Sequence, residues 1–442
     1  MTDTKTVILD GAMGTMLQSR GLRPGEKPEL FALSNPQAIE EIQRDYVRSG
    51  SRILYSNTFG ANRRKLDGTG HSTSDVIKEN IAIAKRASNE APGTRVALDI
   101  GPIGELLSPL GTLSFDEAYD IFKEIVVAGA EAGADLVVFE TFTDLQEARA
   151  ALLAAKENST LPVWVTMSFE ANGRTFTGTT VSCMAVTLQG LGADAIGINC
   201  SLGPKEILPL IKEMQQWTDL PLIAKPNAGL PDPATGSYFI TPEQFAAEME
   251  PFFELGVHAA GGCCGTSPAF IKALSEKASH YGSKSEQARR NGICSSSSMA
   301  EYGRTHLIGE RINPTGKKKL KQALLEHDMD YIMKLAIQQA DAGADILDIN
   351  VGIPNVDESL LMKEVVQAVQ SVVRLPLMID SSKAEAIETG LRYACGKAII
   401  NSVNADDAKL EEILPIARKY GAAVVGLAMD RKLPTTVEER LE

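Results

Sequence analysis

The feature that most narrows the fold is an alternation repeated eight times between the N-terminus and about residue 280. Short apolar or β-branched runs recur at 6–11, 52–60, 95–102, 135–141, 162–170, 195–203, 221–229 and 258–266. Between them lie stretches of helical period, among them 36–49, 74–90, 115–132, 144–157, 204–216 and 242–255. Several of these close on a glycine (Gly50, Gly133, Gly256), as helix C-termini do. Strands separated by helices pair in parallel, and eight βα units are the arithmetic of a (β/α)8 TIM barrel. The rival, an open doubly wound sheet, carries G-x-G-x-x-G after its first strand, a spacing that DGAMGTML at 10–17 lacks.

A second series follows. Residues 282–304 are polar and rich in Ser and Gly, with four consecutive serines at 295–298, and read as an inter-domain linker in which Cys294 is an idle, exposed thiol. Strand-like runs resume at 306–316, 346–352, 376–382, 398–404 and 424–430, with helical stretches at 317–341, 358–372, 383–393 and 406–419. Only five strands precede LPTTVEERLE, which reads as the start of a helix. Parallel strands need covered faces and edges. The expected class is therefore α/β, a TIM barrel over 1–281 and, after the linker, an apparently truncated second (β/α) barrel over 305–442.

The chain has 442 residues, 44% of them hydrophobic, enough for two large cores. Its 44 Lys and Arg against 57 Asp and Glu leave a net charge of −13, which argues against nucleic acid or an anionic membrane as a partner. Six cysteines, two of them adjacent, do not make an extracellular disulfide framework. MTDTKTVILDG has no basic segment leading into a long apolar run, and no apolar stretch reaches the ~18 residues of a membrane helix. A soluble, cytoplasmic protein is expected.

Barrel chemistry sits where strands end. The ends of the first eight runs carry Asp10, Asn57, Asp99, Glu140, Ser168, Cys200, Asn227 and the Cys263-Cys264 pair. Each polar residue alone also fits a helix N-cap; their convergence on one mouth does not reduce to caps. Cys200 ends the sixth strand and Cys263-Cys264 the eighth, two positions apart around a barrel. Gly261, Gly262 and Gly265 give the pair's backbone the freedom to turn both side chains toward one centre. Three thiolates suit Zn2+ and leave a fourth tetrahedral position open; the plainer reading is three small buried cysteines. So thiolate-rich a zinc is a weak Lewis acid for hydrolysis, but it activates an incoming thiol, and alkyl transfer to that thiol is the natural reaction. Asp10 and Glu140 then suit a substrate ammonium, and the helix N-terminus after the sixth strand its carboxylate. In the second series Glu310, Asn313, Asp348, Asn350, Asp380 and Asn401 occupy strand ends, groups that match the N–H donors and ring atoms of a reduced pterin. An N-cap role for Asn313, in NPTG, remains the alternative.

LDGAMGT, NTFGANRRKL, DIGPIGE, FETFTD, INCSLGP, PNAG and GGCCGT together resemble the homocysteine S-methyltransferase family. IGERINPTG, LDINVG, IDSS and NSVN resemble the pterin-binding domain of the cobalamin-dependent methionine synthase family. The resemblance implies zinc on Cys200, Cys263 and Cys264 with homocysteine sulfur as fourth ligand, and Asp10, Glu140 and Asn227 in the homocysteine pocket. It places Glu310, Asn313, Asp380 and Asn401 in a pterin pocket for 5-methyltetrahydrofolate, and implies methylcobalamin as the donor to homocysteine, giving methionine. Thr141 stands where betaine-dependent relatives have a tyrosine. The cobalamin motif D-x-H-x-x-G is missing: His258 and His306 have the glycine, but Gly256 and Arg304 stand at the aspartate position. The corrinoid would thus lie on a downstream domain or a separate protein. The rival functions are a cobalamin-independent homocysteine S-methyltransferase using S-methylmethionine, and a non-catalytic fragment that binds zinc and pterin.

Overall fold

The structure, a computed structural model, describes residues 4–232, 238–284, 288–429 and 435–438. They fall into two compact units, Met1–Val181 with Ala193–Arg289, and Ser182–Gly192 with Arg290–Glu442.

In the first unit the eight expected runs become eight parallel strands: β1 (Val7–Ile8), β2 (Ile53–Tyr55), β3 (Arg95–Ile100), β4 (Leu136–Phe142), β5 (Val163–Met167), β6 (Ala195–Asn199), β7 (Leu222–Lys225) and β8 (Ala259–Ala260). Their order around the sheet is β1-β8-β7-β6-β5-β4-β3-β2. A bridge between Leu9 and Ile53, with the Arg52 N–H donating to the Ile8 carbonyl at 2.7 Å, brings β1 to β2 and closes the barrel. Both faces of each strand are covered, so the strands read as unbroken apolar runs. The lumen is filled rather than open: Leu9, Ile53, Leu136, Val138, Trp164 and Ile223 pack with the small Ala97, Ala195 and Ala259.

The six expected helices of this region form within a residue or two of their expected bounds. Ser114 with Glu117, and Thr241 with Gln244, start two of them through reciprocal capping boxes. Four helices were not singled out from the sequence: Met13–Ser19, Pro28–Ser34 and Pro268–Ala278 in this unit, and Val181–Gly190, which after its first residue belongs to the second. Val181–Gly190 shows why, since residues 181–188 are all buried and the segment has no polar face to betray a helical period.

In the second unit β11 (Ile308–Ile312), β12 (Ile346–Asn350), β13 (Leu377–Asp380), β14 (Ile399–Val403) and β15 (Ala423–Gly426) form a parallel sheet in sequential order. The segment expected to be a linker contains an antiparallel hairpin, β9 (Gly292–Cys294) with β10 (Met299–Glu301). Ile293 and Ala300 of the hairpin pack against Ile346, Met378 and Ile399, the first residues or nearly so of their strands, so it plugs the N-terminal end of the sheet. That packing corrects the expectation for Cys294: the thiol is 1% exposed, beside the Thr187 hydroxyl at 3.3 Å. Asp430 and most of the helix start expected at LPTTVEERLE lie outside the described residues. No helix among the described residues is long and apolar enough to cross a membrane.

Candidate active site and metal centre

A cavity of about 470 Å³ opens at the C-terminal ends of the barrel strands. Asp10, Asn57, Asp99, Glu140, Cys200, Cys263 and Cys264 all line it, and so does Lys225. Seven of the nine strand-end residues singled out from the sequence thus share one chamber; Ser168 and Asn227 stand outside its lining.

The three cysteine sulfurs lie within 4.8 Å of one another, the one such cluster of potential ligands among the described residues. A tetrahedral zinc with Zn–S bonds of ~2.3 Å needs sulfurs ~3.8 Å apart; Cys200 and Cys264 stand at 3.9 Å. The donor set and spacing fit the ion. Cys200 and the following Ser201 both adopt positive φ (61° and 55°), a conformation that costs a non-glycine residue ~1 kcal/mol or more and is found where a site requires it. Three hydrogen bonds hold the turn: the Cys200 N–H donates to the Lys225 carbonyl (3.1 Å), the Ser168 hydroxyl donates to the Asn199 carbonyl (3.0 Å), and the Ser168 and Ser201 hydroxyls pair at 2.7 Å. On the other side the Cys263 N–H donates to the Pro226 carbonyl (2.8 Å) and the Cys264 N–H to the Asn227 side-chain carbonyl (3.1 Å). Gly265 is at φ 79°, and a Cβ there would meet the Tyr238 ring at 2.4 Å.

Without metal these thiols keep their protons. The Cys263 hydrogen bond favours a thiolate on Cys200, but its bond with Cys264, burial and the Cys264 charge outweigh it and push Cys200 up to about 11. Cys264 also reaches about 11: its bond with Cys200 lowers it, while Cys263 and burial raise it further. Cys263 is raised as well, through its bond with Cys200 and burial. Metal binding at such a cluster is coupled to proton release.

The acidic wall differs from its expected form. Lys225, at the end of β7, is 4% exposed and puts its Nζ 3.6 Å from Asp10 Oδ1 and 3.3 Å from Glu140 Oε2, over the Tyr55 ring at 4.0 Å. Asp10 Oδ2 accepts the Tyr55 N–H at 2.7 Å. The two carboxylates expected to wait for a substrate ammonium thus already share a cation of the protein. Burial alone would strip the lysine of its proton, yet Glu140 and Asp10 hold it well above its ordinary pKa. Burial pushes Asp10 up to about 6 against the opposing pull of Lys225. Glu140 is aimed by a bulge: Glu140 and Thr141 of β4 together oppose the single Thr166 of β5, with Thr141 at φ 65°. Asn199 secures the bulge, accepting the Thr141 N–H and the Thr166 hydroxyl (2.8 Å each) and donating to the Thr141 hydroxyl at 2.7 Å.

Lys225 and Asn199 were missed in the sequence, although each is a polar residue closing an apolar strand directly before a motif already singled out. Asn227 lies behind the chamber, where it holds the Cys264 backbone. The helix after β6, Pro204–Met214, starts outside the cavity lining; Ala12, Met13, Gly14 and Thr15 line it instead.

In the second unit Asn350, Asp380 and Asn401 stand level on neighbouring strands at the C-terminal end of the sheet. Asn350 donates to Asp380 at 3.0 Å and Asn401 to Asp348 at 3.1 Å. Asp348 is deeply buried, its Oδ2 without a hydrogen-bond partner among the described residues, and burial raises it to about 6, opposed by the Asn401 bond. Burial also raises Asp380, opposed by the Asn350 bond. Glu310 is exposed on β11 and accepts from Asn313 at 3.1 Å. Asn313 Oδ1 also accepts the Thr315 N–H at 3.0 Å, the local turn role weighed against pterin binding.

The homocysteine S-methyltransferase family matches residues 7–278, and the pterin-binding enzyme family residues 309–441. The methionine synthase of Mycobacterium tuberculosis is 29% identical over 459 aligned positions, covering 97% of this chain and 38% of that protein. That of Mycobacterium leprae is 28% identical, covering 99% of this chain and 39% of its own length. The chain therefore spans about two-fifths of the length of these curated relatives. Among solved structures, the metallated form of the homocysteine methyltransferase MmuM from Escherichia coli aligns with a TM-score of 0.54 at 24% identity, over 62% of this chain and 96% of that one, and shows the shared fold. With its matched region covering more than half of its length, the chain belongs to the homocysteine S-methyltransferase family and carries, after that region, a pterin-binding domain.

Proposed function

We propose that the chain is the substrate-binding part of a methionine synthase, which transfers a methyl group from methylcobalamin to the sulfur of homocysteine and binds 5-methyltetrahydrofolate as the source of the next methyl. The observation that carries this reading is the set of three cysteine sulfurs within 4.8 Å of one another in a carboxylate-lined chamber at the barrel mouth. Bound by Cys200, Cys263 and Cys264, zinc would lower the substrate thiol's pKa from its ordinary ~8.5, so that sulfur reacts as thiolate at neutral pH. The chain's own residues shape what reaches that sulfur. Asn227 fixes the Cys264 backbone, Ser168 and Ser201 fix the Cys200 turn, and Asp10, Glu140 and Lys225 form a wall suited to a zwitterionic amino acid. In the second unit Asp380 and Asn401, with Glu310 and Asn313, offer the carboxylates and amides that a reduced pterin's amino-pyrimidinone edge requires. The corrinoid would be carried by a further domain or another protein. Six free cysteines suit the reducing cytoplasm.

The test is zinc per chain in the wild type and in Cys200→Ala, followed by an assay of homocysteine methylation. About one zinc in the former, little in the latter, and methionine formed from methylcobalamin are expected. Turnover with S-methylmethionine in the absence of corrinoid would replace the donor. A folded, metal-replete protein without zinc would overturn the reading.

A further inference from the structure

The second unit holds two buried thiols that the chemistry at the barrel mouth does not use. Cys183 lies on the helix Val181–Gly190, and Cys294 ends β9; neither is more than 1% exposed. Thr187 stands one turn after Cys183, so the two share a face of that helix. Cys294 Sγ meets this face at both points, 3.3 Å from the Thr187 hydroxyl and 3.7 Å from the Cys183 carbonyl, and the Cys183 thiol hydrogen-bonds to it. Its own backbone holds the sulfur there. The Cys294 N–H donates to the Lys397 carbonyl at 3.0 Å, and the hydroxyl of the next residue, Ser295, donates to the Arg374 carbonyl at 2.8 Å. A Cβ on Gly396 would meet the Cys294 carbonyl oxygen at 2.1 Å, so the strand end is tightly packed on that side as well.

A buried cysteine is ordinarily an inert packing residue whose pKa burial raises. Cys294 departs from that pattern. Burial works against its thiolate, yet the bonds with Cys183 and Thr187, the Lys397 backbone bond and the Lys397 charge bring it below its ordinary pKa. Without metal, the cysteines of the barrel mouth are all shifted the other way. The thiolate is the attacking form in thiol oxidation, and a second thiol beside it resolves the product to a disulfide. We propose that Cys294 and Cys183 form a redox pair, which a peroxide converts to a disulfide between β9 and the helix Val181–Gly190. The Cys294 sulfur attacks one peroxide oxygen. The O–O bond breaks, leaving a sulfenic acid on Cys294 and a hydroxide that takes up a proton as water. The Cys183 sulfur then attacks the Cys294 sulfur. The S–S bond forms as the S–O bond breaks, and the departing hydroxide takes the Cys183 proton as a second water. The two sulfurs give up two electrons, and the peroxide takes them. Hydrogen peroxide reaches the pair through local opening of the hairpin, whose strands are three residues each. A dithiol reverses the bond by exchange and becomes a disulfide itself.

The experiment treats the full zinc-loaded chain with about one equivalent of hydrogen peroxide. The chain is then unfolded in chelator with an alkylating reagent present, and its cysteines are mapped by peptide mass spectrometry. The expected result is a linked pair of peptides carrying Cys183 and Cys294, and a fall in alkylated thiols from six to four, the missing two being in the bond. Zinc measured before unfolding should stay at about one per chain. A dithiol reductant should restore all six thiols. Cys183→Ser lacks the resolving thiol and should keep the sulfenic acid on Cys294, where dimedone captures it; Cys294→Ser should leave Cys183 unmodified. The wild-type peptide map needs no variant, and it decides the matter if either substitution unfolds the chain. Peroxide that oxidises the cysteines of the barrel mouth and leaves Cys294 a free thiol overturns the inference. So does a Cys294 that is oxidised without a bond to Cys183.

Discussion

The two parallel sheets of this chain are written in the same alternation of strand and helix, yet they treat their polar strand ends differently. In the first, eight strands close through Leu9 and Ile53, and Asp10, Asp99, Glu140 and Lys225 are each at most 7% exposed. In the second, β11 and β15 each pair on one side only among the described residues; Ile308 of β11 is 47% exposed and Glu310 is open to solvent. Closure dehydrates the mouth. Carboxylates brought into a dry chamber need a positive charge of the protein's own, and Lys225 supplies it. In the second sheet the corresponding row is satisfied by amides, Asn350 with Asp380 and Asn401 with Asp348, and among the described residues no lysine or arginine pairs with either aspartate. The same architecture thus yields carboxylates paired with a lysine in one unit and aspartates held by amides in the other.

The sharpest way to separate the two is to disable one chemistry and watch the other. Cys263→Ser should drop zinc from about one per chain to near zero and reduce homocysteine methylation by at least ~100-fold, with 5-methyltetrahydrofolate binding unchanged. Retained turnover with methylcobalamin would break the link between the cysteine cluster and the reaction. Lys225→Met tests the ionic half of the comparison. It leaves Asp10 and Glu140 facing each other without a cation, and the chain should lose about 3–5 kcal/mol in denaturant unfolding at pH 7. The loss should shrink below pH 6, where Asp10 takes up its proton. A chain as stable as wild type would mean that Lys225 is not the counter-ion. Asp380→Ala removes one member of the amide-satisfied row, and should weaken 5-methyltetrahydrofolate about 10- to 100-fold by equilibrium binding while zinc stays at wild-type content.

How far this contrast was legible in the sequence depends on where its causes lie. The eight barrel strands were readable because burial on both faces makes each a continuous apolar run. The cysteines were readable because three soft ligands gathered at two strand ends point to a metal more directly than to packing. Lys225 was not, since its stem extends β7 as any long side chain would and its partners sit on β1 and β4. The bulge at Glu140 and Thr141 is an excess of one residue relative to β5, a quantity defined only once two strands are paired. The β9–β10 hairpin was hidden by its serines: each strand is three residues long, too short for alternation to show, and its apolar content is declared only by the sheet floor it covers. The barrel follows from local pattern; the electrostatics of its mouth follow from neighbours far apart in the chain.

The smallest expected effect sharpens the comparison, because each unit has one aspartate at its mouth whose pKa is raised to about 6. Asp10 owes part of its remaining charge to Lys225, so neutralising it would strand the lysine. Among the described residues Asp348 has the Asn401 amide on one oxygen and no hydrogen-bond partner on the other. An asparagine there can still accept from Asn401 and carries no charge to dehydrate. The folded protein holds the Asp348 proton up to about pH 6, whereas the unfolded chain releases it near 3.8. The stabilising contribution of this residue is thus complete below pH 3.8 and is lost as pH rises through 6. Asp348→Asn should therefore match the wild type at the acidic end and exceed it by about 1–2 kcal/mol at pH 7, the full value of the shift being reduced by solvent screening. Thermal unfolding of both proteins across that range is the measurement. A variant less stable than wild type at pH 7 would mean that the ionised carboxylate is compensated after all, and that the second mouth is closer in kind to the first than its hydrogen bonds indicate.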